Sequence, residues 1–200
     1  MYIKKLDTPE ICRVYRQHLK RDFPADELKP LFVIKGHIKN NFYQAFGLFA
    51  DSSASSKHSL KNLLAYAYLC GRPSGSLMLL DYLAVLPDRR SQGLGSTFLD
   101  LVQNELQDVT GLVAEVERVD VAETETERNV RQRRLDFYLR AGFCQSSVRG
   151  NIFGVDYTIV YRPLSRELNE TELLSAMEQL YHEMLPPLLF RQKIHLELKL

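Results

Sequence analysis

The sequence predicts an α/β protein with helices packed on a mixed sheet. Three observations carry that expectation. Short apolar segments with strand character alternate with longer segments whose apolar residues recur at helical spacing. The stretch 77–86, LMLLDYLAVL, is almost wholly apolar, as a strand covered on both faces must be. A polar turn, PDRRSQGLGS, then joins that strand directly to an amphipathic helix.

The elements follow in order. Residues 1–6 form a strand candidate. Thr8 and Pro9 then open a helix, a capping hydroxyl followed by proline in the first turn. Ile11, Val14, Tyr15 and Leu19 give it one apolar face, and Phe23-Pro24 closes it. A second helix is expected over about 26–41, with Leu31, Ile34 and Ile38 on one side, although Pro30 and Gly36 interrupt its pattern. Strands follow at 43–50, 63–70 and 77–86, divided by a polar loop at 51–56 and a turn at 71–75. After PDRRSQGLGS, Phe98, Leu101, Val102 and Leu106 lie in phase for a helix. Residues 111–119 read as a strand, with Leu112, Ala114 and Val116 opposite Glu115 and Glu117.

Thr124 and Glu127 have the spacing of a capping box, so a helix runs from there to about Arg140 and stops at Gly142. Strands at 145–148 and 155–161 suggest a hairpin around Gly150-Asn151. Residues 169–185 form another amphipathic helix, broken by Pro186-Pro187. The tail KIHLELKL alternates as a half-exposed strand does.

Composition narrows the function. Lys and Arg number 26 against 25 Asp and Glu, a formal charge of +1, so nothing argues for nucleic acid or an anionic membrane as partner. Cys12, Cys70 and Cys144 are far apart, which suggests reduced thiols rather than a disulfide framework. The five histidines (His18, His37, His58, His182, His195) lack metal-ligand spacing, so no metal is expected. No apolar run approaches the ~20 residues that span a bilayer, and the polar N-terminus does not resemble a signal peptide. A cytoplasmic location is the expectation.

The strand–turn–helix junction is built for an anion. The first N–H groups of a helix have no internal partner, and the helix dipole adds positive charge beside them. Glycines allow close approach, and Arg89 and Arg90 can add charge-assisted contacts. The spacing does not fit the dinucleotide fingerprint or the Walker phosphate loop. Arg90-Ser91-Gln92-Gly93-Leu94-Gly95 does fit R/Q-x-x-G-x-G/A, and YLRAGF (138–143) supplies Tyr-x-x-x-Gly-Phe one strand later.

Together these resemble the GNAT family of N-acetyltransferases. The resemblance implies a mixed, mostly antiparallel central sheet of six to seven strands flanked by helices. It covers residues 1–165, leaving a C-terminal helix and strand-like tail at 166–200 that packs on the domain or extends it. One position departs from the pattern: many members carry Asn seven residues before the helix tyrosine, and here Arg131 stands there.

The resemblance implies acetyl-CoA as cosubstrate and an amine acceptor. The diphosphate would sit on the backbone of Gln92, Gly93, Leu94, Gly95 and Ser96 beside Arg90, with the pantetheine arm along Ala84 and Val85. A backbone N–H near Val85 would polarise the thioester carbonyl. Tyr138 would be the general acid for the departing thiolate. Asp81, Glu115 and Glu117 would form an acidic floor for a cationic amine, with Glu117 or Asp81 taking its proton. The plainer alternative is that Arg118, Arg133 or Arg134 pair with these carboxylates for structure. No His or Asp partner can be placed for Cys70 or Cys144, so direct attack by the amine is preferred over an acyl-enzyme. Two further readings remain: an acyl-CoA-binding module with little catalysis, and a tail that pairs with a second copy to make a homodimer.

Overall fold

The computed structural model describes residues 1–25, 27–50, 60–106 and 108–199; the polar loop 51–56 and His58 lie outside the described residues. The chain forms two compact units. One comprises Met1–Arg72 and Asp81–Glu105, the other Pro73–Leu80 and Leu106–Leu200.

In the first unit β1 (Tyr2–Lys5) pairs antiparallel with β2 (Tyr43–Phe49), and β2 with β3 (Leu63–Cys70). Every residue of β2 and β3 is buried. Strands covered on both faces need apolar residues at successive positions, and YQAFGLF and LLAYAYLC come close to supplying them. The one amide among them, Gln44, is 8% exposed.

Helix α1 (Thr8–Val14) runs through a π turn at Tyr15–Leu19 into the short α2 (Lys20–Asp22). Its cap is Asp7 rather than the expected Thr8. The Asp7 carboxylate accepts the Glu10 N–H at 2.9 Å, and the Glu10 carboxylate accepts the Asp7 N–H at 3.0 Å. Glu10 is fully buried, and Lys4 Nζ lies 2.5 Å from its Oε1, so its charge is matched. The second helix, α3 (Leu31–Lys39), starts only after Pro30, whose ψ of 137° is extended. Proline disfavours helical backbone in the residue before it, which removes the first turn of the expected 26–41 segment.

Strand β4 (Leu77–Val85) contributes its second half to this unit. A 3-10 turn at Pro87–Arg89 follows, then α4 (Leu94–Asn104), which buries Phe98, Leu99 and Val102 and packs on β1 and β3.

In the second unit the first half of β4 pairs parallel with β5 (Gly111–Glu117), from Leu77↔Gly111 to Leu79↔Val113. The strand order there is β4-β5-β7-β6-β8, with β6 at Cys144–Ile152, β7 at Val155–Pro163 and β8 at Ile194–Leu198. Its other pairings are antiparallel. Eight strands thus replace the six to seven expected. The added strand is the tail, which pairs with β6 from Val148↔Leu198 to Ile152↔Ile194 and so extends the sheet.

Helix α5 (Glu125–Arg140) is capped by Thr124, whose hydroxyl accepts the Glu127 N–H at 3.2 Å. The return bond from the Glu127 carboxylate goes to the N–H of Glu123 instead of Thr124. At the other end Phe143 N–H donates to Tyr138 O and Gly142 N–H to Leu139 O, both at 3.1 Å, with Gly142 at φ 82°. That is a Schellman stop. It seats the Phe143 ring against Tyr138, with centroids 5.2 Å apart.

The β6–β7 hairpin turns at Phe153-Gly154, both with positive φ, rather than at Gly150-Asn151. Gly150 instead lies within β6, where an added Cβ would come 3.0 Å from the Leu196 side chain. Helix α6 (Glu170–Met184) ends at Pro186-Pro187 as expected, but Pro187 also opens α7 (Pro187–Lys193). Proline fits the first helical turn, where its missing N–H costs nothing. Among the described residues no helix is long and apolar enough to cross a membrane.

Candidate active site

The residues singled out by sequence fall into two clusters, one in each unit. The first is the turn between β4 and α4. Ser91 and Gly93 both take left-handed backbone, with φ of 60° and 74°. A Cβ at Gly93 would meet nothing within 4 Å, so glycine answers a conformational need there, not a crowded one. Gly93 occupies the cap position of α4, and no side chain caps the helix. The N–H groups of Leu94, Gly95 and Ser96, in the first turn, have no partner within the helix. Gln92 and Arg90 are exposed beside them. Arg90 Nε donates to Val85 O at 3.2 Å, tying the turn back to the end of β4 next to Ala84.

Asp81 belongs to the same unit. Its side chain is only 7% exposed. Lys29 Nζ lies 2.5 Å from Oδ1, and the Tyr43 hydroxyl donates to Oδ2. Burial alone would lower the Lys29 pKa, but the Asp81 carboxylate more than offsets it and holds the ammonium above its usual range. Burial, then Asp81, pushes the Tyr43 phenol well up. Lys29 is anchored through its backbone too: its N–H donates to the Tyr82 hydroxyl at 2.8 Å, and its carbonyl accepts the Tyr15 hydroxyl at 3.0 Å. Both oxygens of Asp81 are therefore engaged.

The second cluster gathers Glu115 and Glu117 of β5 with Arg131, Arg134 and Tyr138 of α5. Arg134 Nη1 lies 3.2 Å from Glu117 Oε2, and Arg131 Nη2 lies 3.7 Å from Oε1. Arg131 also donates to the Arg118 carbonyl at 2.9 Å. Its guanidinium thus has a structural task at the position where the family pattern has Asn. The Tyr181 hydroxyl of α6 donates to Glu115. Tyr138 is 8% exposed, and among the described residues its hydroxyl takes no hydrogen bond. Burial pushes its pKa up to about 12; Arg134 pulls it down and Glu115 raises it. A phenol that stays protonated at neutral pH can serve as a proton donor.

Sequence reasoning missed Lys29, Tyr43 and Tyr181. Each acts through a contact with a residue distant in the chain, and no local pattern marks any of them. The three cysteines form no disulfide; Cys12 and Cys70 are buried and Cys144 is exposed. Among the described residues no group of His, Cys, Asp or Glu could hold a metal ion.

No protein-family model and no curated protein matches this sequence. Solved structures do. A Bacteroides thetaiotaomicron protein described as an acetyltransferase of the GNAT family matches 91% of this chain and 96% of its own, with a TM-score of 0.67 and 16% identity. The chain has the GNAT fold. Spermidine N-acetyltransferase from Vibrio cholerae, in complex with CoA and spermine, matches 84% of this chain and 98% of its own at a TM-score of 0.56 and 13% identity. Ribosomal-protein-S18-alanine N-acetyltransferase from Escherichia coli matches 84% and 96%, at a TM-score of 0.51 and 22% identity. In this chain the first motif quoted from the sequence spans the turn from β4 to α4, and the tyrosine of the second, Tyr138, lies near the end of α5.

Proposed function

We propose that this chain is a GNAT-family N-acetyltransferase that moves the acetyl group of acetyl-CoA directly to a primary amine. The observation that carries the proposal is the uncapped start of α4, with Gly93 at φ 74° and Arg90 alongside. Backbone N–H groups of Gln92, Gly93, Leu94, Gly95 and Ser96 would take the diphosphate, and the pantetheine arm would lie along Ala84 and Val85, beyond the last β4–β5 rung at Leu79. The amine attacks the thioester carbon, whose oxyanion is met by a backbone N–H near Val85. Collapse expels the CoA thiolate, which takes the Tyr138 proton.

Glu117 and Asp81 are the carboxylate candidates for taking the amine proton. Glu117, with a side chain 25% exposed against 7% for Asp81, is the more open and is assigned as base. Both oxygens of Asp81 are held by Lys29 and Tyr43, so it is assigned to hold charge. A cationic acceptor fits this reading, and one neighbour in fold was solved with the polyamine spermine. A second copy of the chain is proposed as the partner of the outer edge of β8, the last strand in the sheet order. The mass of the full chain in solution checks that: a dimer is expected, and a monomer ends the idea.

The experiment is thiol release from acetyl-CoA across a panel of polyamines, aminoglycosides and peptide amines. Turnover with one class is expected. A second reading, an acyl-CoA-binding module with little catalysis, draws on the full engagement of Asp81 and the two arginines on Glu117. Stabilisation by acetyl-CoA without turnover across the panel selects it.

A further inference from the structure

We propose that α1 and α3, in the first unit, frame a binding site for a small phosphate-bearing molecule. A cavity of about 530 Å³ opens there, within the size range of small-molecule sites. One wall is a single face of the first helix. Thr8, Cys12 and Arg16 recur along it at spacings of four, with Arg13 and Gln17 one residue on from the latter two. Lys35 of α3 supplies a cation from the second helix. Three cations therefore line the cavity, and none of its lining residues is acidic.

Several other cations of the chain are held by carboxylates: Lys4 by Glu10, Lys29 by Asp81, Arg118 by Asp120, Arg131 and Arg134 by Glu117. Among the described residues Arg16 and Lys35 take no ion pair and no side-chain hydrogen bond. Like charges on one concave surface reinforce each other's potential and draw in an anion. Arg16 and Gln17 stand on the π turn Tyr15–Leu19. Such turns are rare, and they recur at functional sites.

The lining also indicates the class of anion. A monocarboxylate would match only one of Arg16 and Lys35, whereas a phosphate monoester or diphosphate carries about two or more negative charges and can meet both. Guanidinium groups meet phosphate oxygens in a bidentate fork. The Thr8 hydroxyl and Gln17 amide add neutral donors. Pro9 and the buried Cys12 offer apolar surface for a carbon skeleton. The cavity shares no residue with the turn at 90–96, so it is a second anion site, and it does not depend on the chain being an acetyltransferase.

The test is calorimetric titration of the full chain with inorganic pyrophosphate at constant ionic strength, first alone and then with saturating CoA. Saturable pyrophosphate binding is expected to persist in CoA. Replacing Arg16→Gln and Lys35→Gln together should weaken it by about tenfold or more, with no change in melting temperature, because both side chains are exposed. Equal affinity in the double variant, or no saturable binding to the wild-type chain, overturns the proposal. Failure of the α4 turn to bind CoA is a separate result, since it leaves the effect of the two substitutions in place.

Discussion

Helices α4 and α6 begin in opposite ways. Asn169 caps α6: its side chain accepts the Glu172 N–H at 3.0 Å, while the Glu172 carboxylate accepts the Asn169 N–H at 2.9 Å. The chain thus satisfies its own donors, and two acidic residues in the first turn, Glu170 and Glu172, complement the dipole. At α4 a glycine with left-handed backbone stands where the cap would be, no side chain caps the helix, and its first turn holds no acid. Helix start α6 is finished as a piece of structure. Helix start α4 leaves its donors without a side-chain cap and its positive end without an acid, as the proposed diphosphate site requires.

That contrast can be broken or sharpened by substitution. The largest effect is expected from Tyr138→Phe, which should lower kcat by about a hundredfold or more with the amine found in the panel, while acetyl-CoA affinity stays as it was. The phenol's pKa of about 12 lies above its ordinary value, so the proton is retained through neutral and moderately basic pH. A basic limb in the kcat profile below about pH 10 must then come from another group. A large rise in the Kd for acetyl-CoA in this variant would place Tyr138 in binding instead.

Next is Gly93→Asp, which gives α4 an acid like those of α6. Aspartate tolerates left-handed backbone better than most residues. The carboxylate should weaken acetyl-CoA binding by about tenfold or more through repulsion of the diphosphate. Arg90→Ala should weaken the same binding by several-fold and reduce its salt dependence, as read from titrations at two ionic strengths. The smallest effect on the ligand belongs to Asn169→Ala. It should cost about 1 kcal/mol of stability, roughly 2–4 °C in melting temperature, and leave acetyl-CoA affinity alone.

Much of the fold was legible because its elements are locally consistent. LLAYAYLC occupies β3 with no residue added or lost, and the stop at Ala141-Gly142-Phe143 closes α5 through Gly142. The misplaced features each turn on long-range or ambiguous signals. Pro187 both ends one helical pattern and opens another, so a break was expected where α7 stands. Gly150 looked like a turn residue, but it answers the close approach of Leu196 from β8, 46 positions away in sequence. Of the candidate site, the local placements were legible: the turn after β4, and Tyr138 next to its glycine stop. The carboxylates were named, and so was Arg134 as a structural partner, which pairs with Glu117; Lys29, Tyr43 and Tyr181 were not, because tertiary packing alone brings them to Asp81 and Glu115.

The central claim is that the turn from β4 to α4 holds the diphosphate of acetyl-CoA. Its most direct test is the melting temperature of the full chain with and without acetyl-CoA. A ligand that binds only the folded state at about a hundred times its Kd adds about 2.7 kcal/mol of stability. The account predicts a clear rise for the wild-type chain, much reduced in Gly93→Asp and retained in Asn169→Ala. A wild-type melting temperature that acetyl-CoA does not move would contradict it.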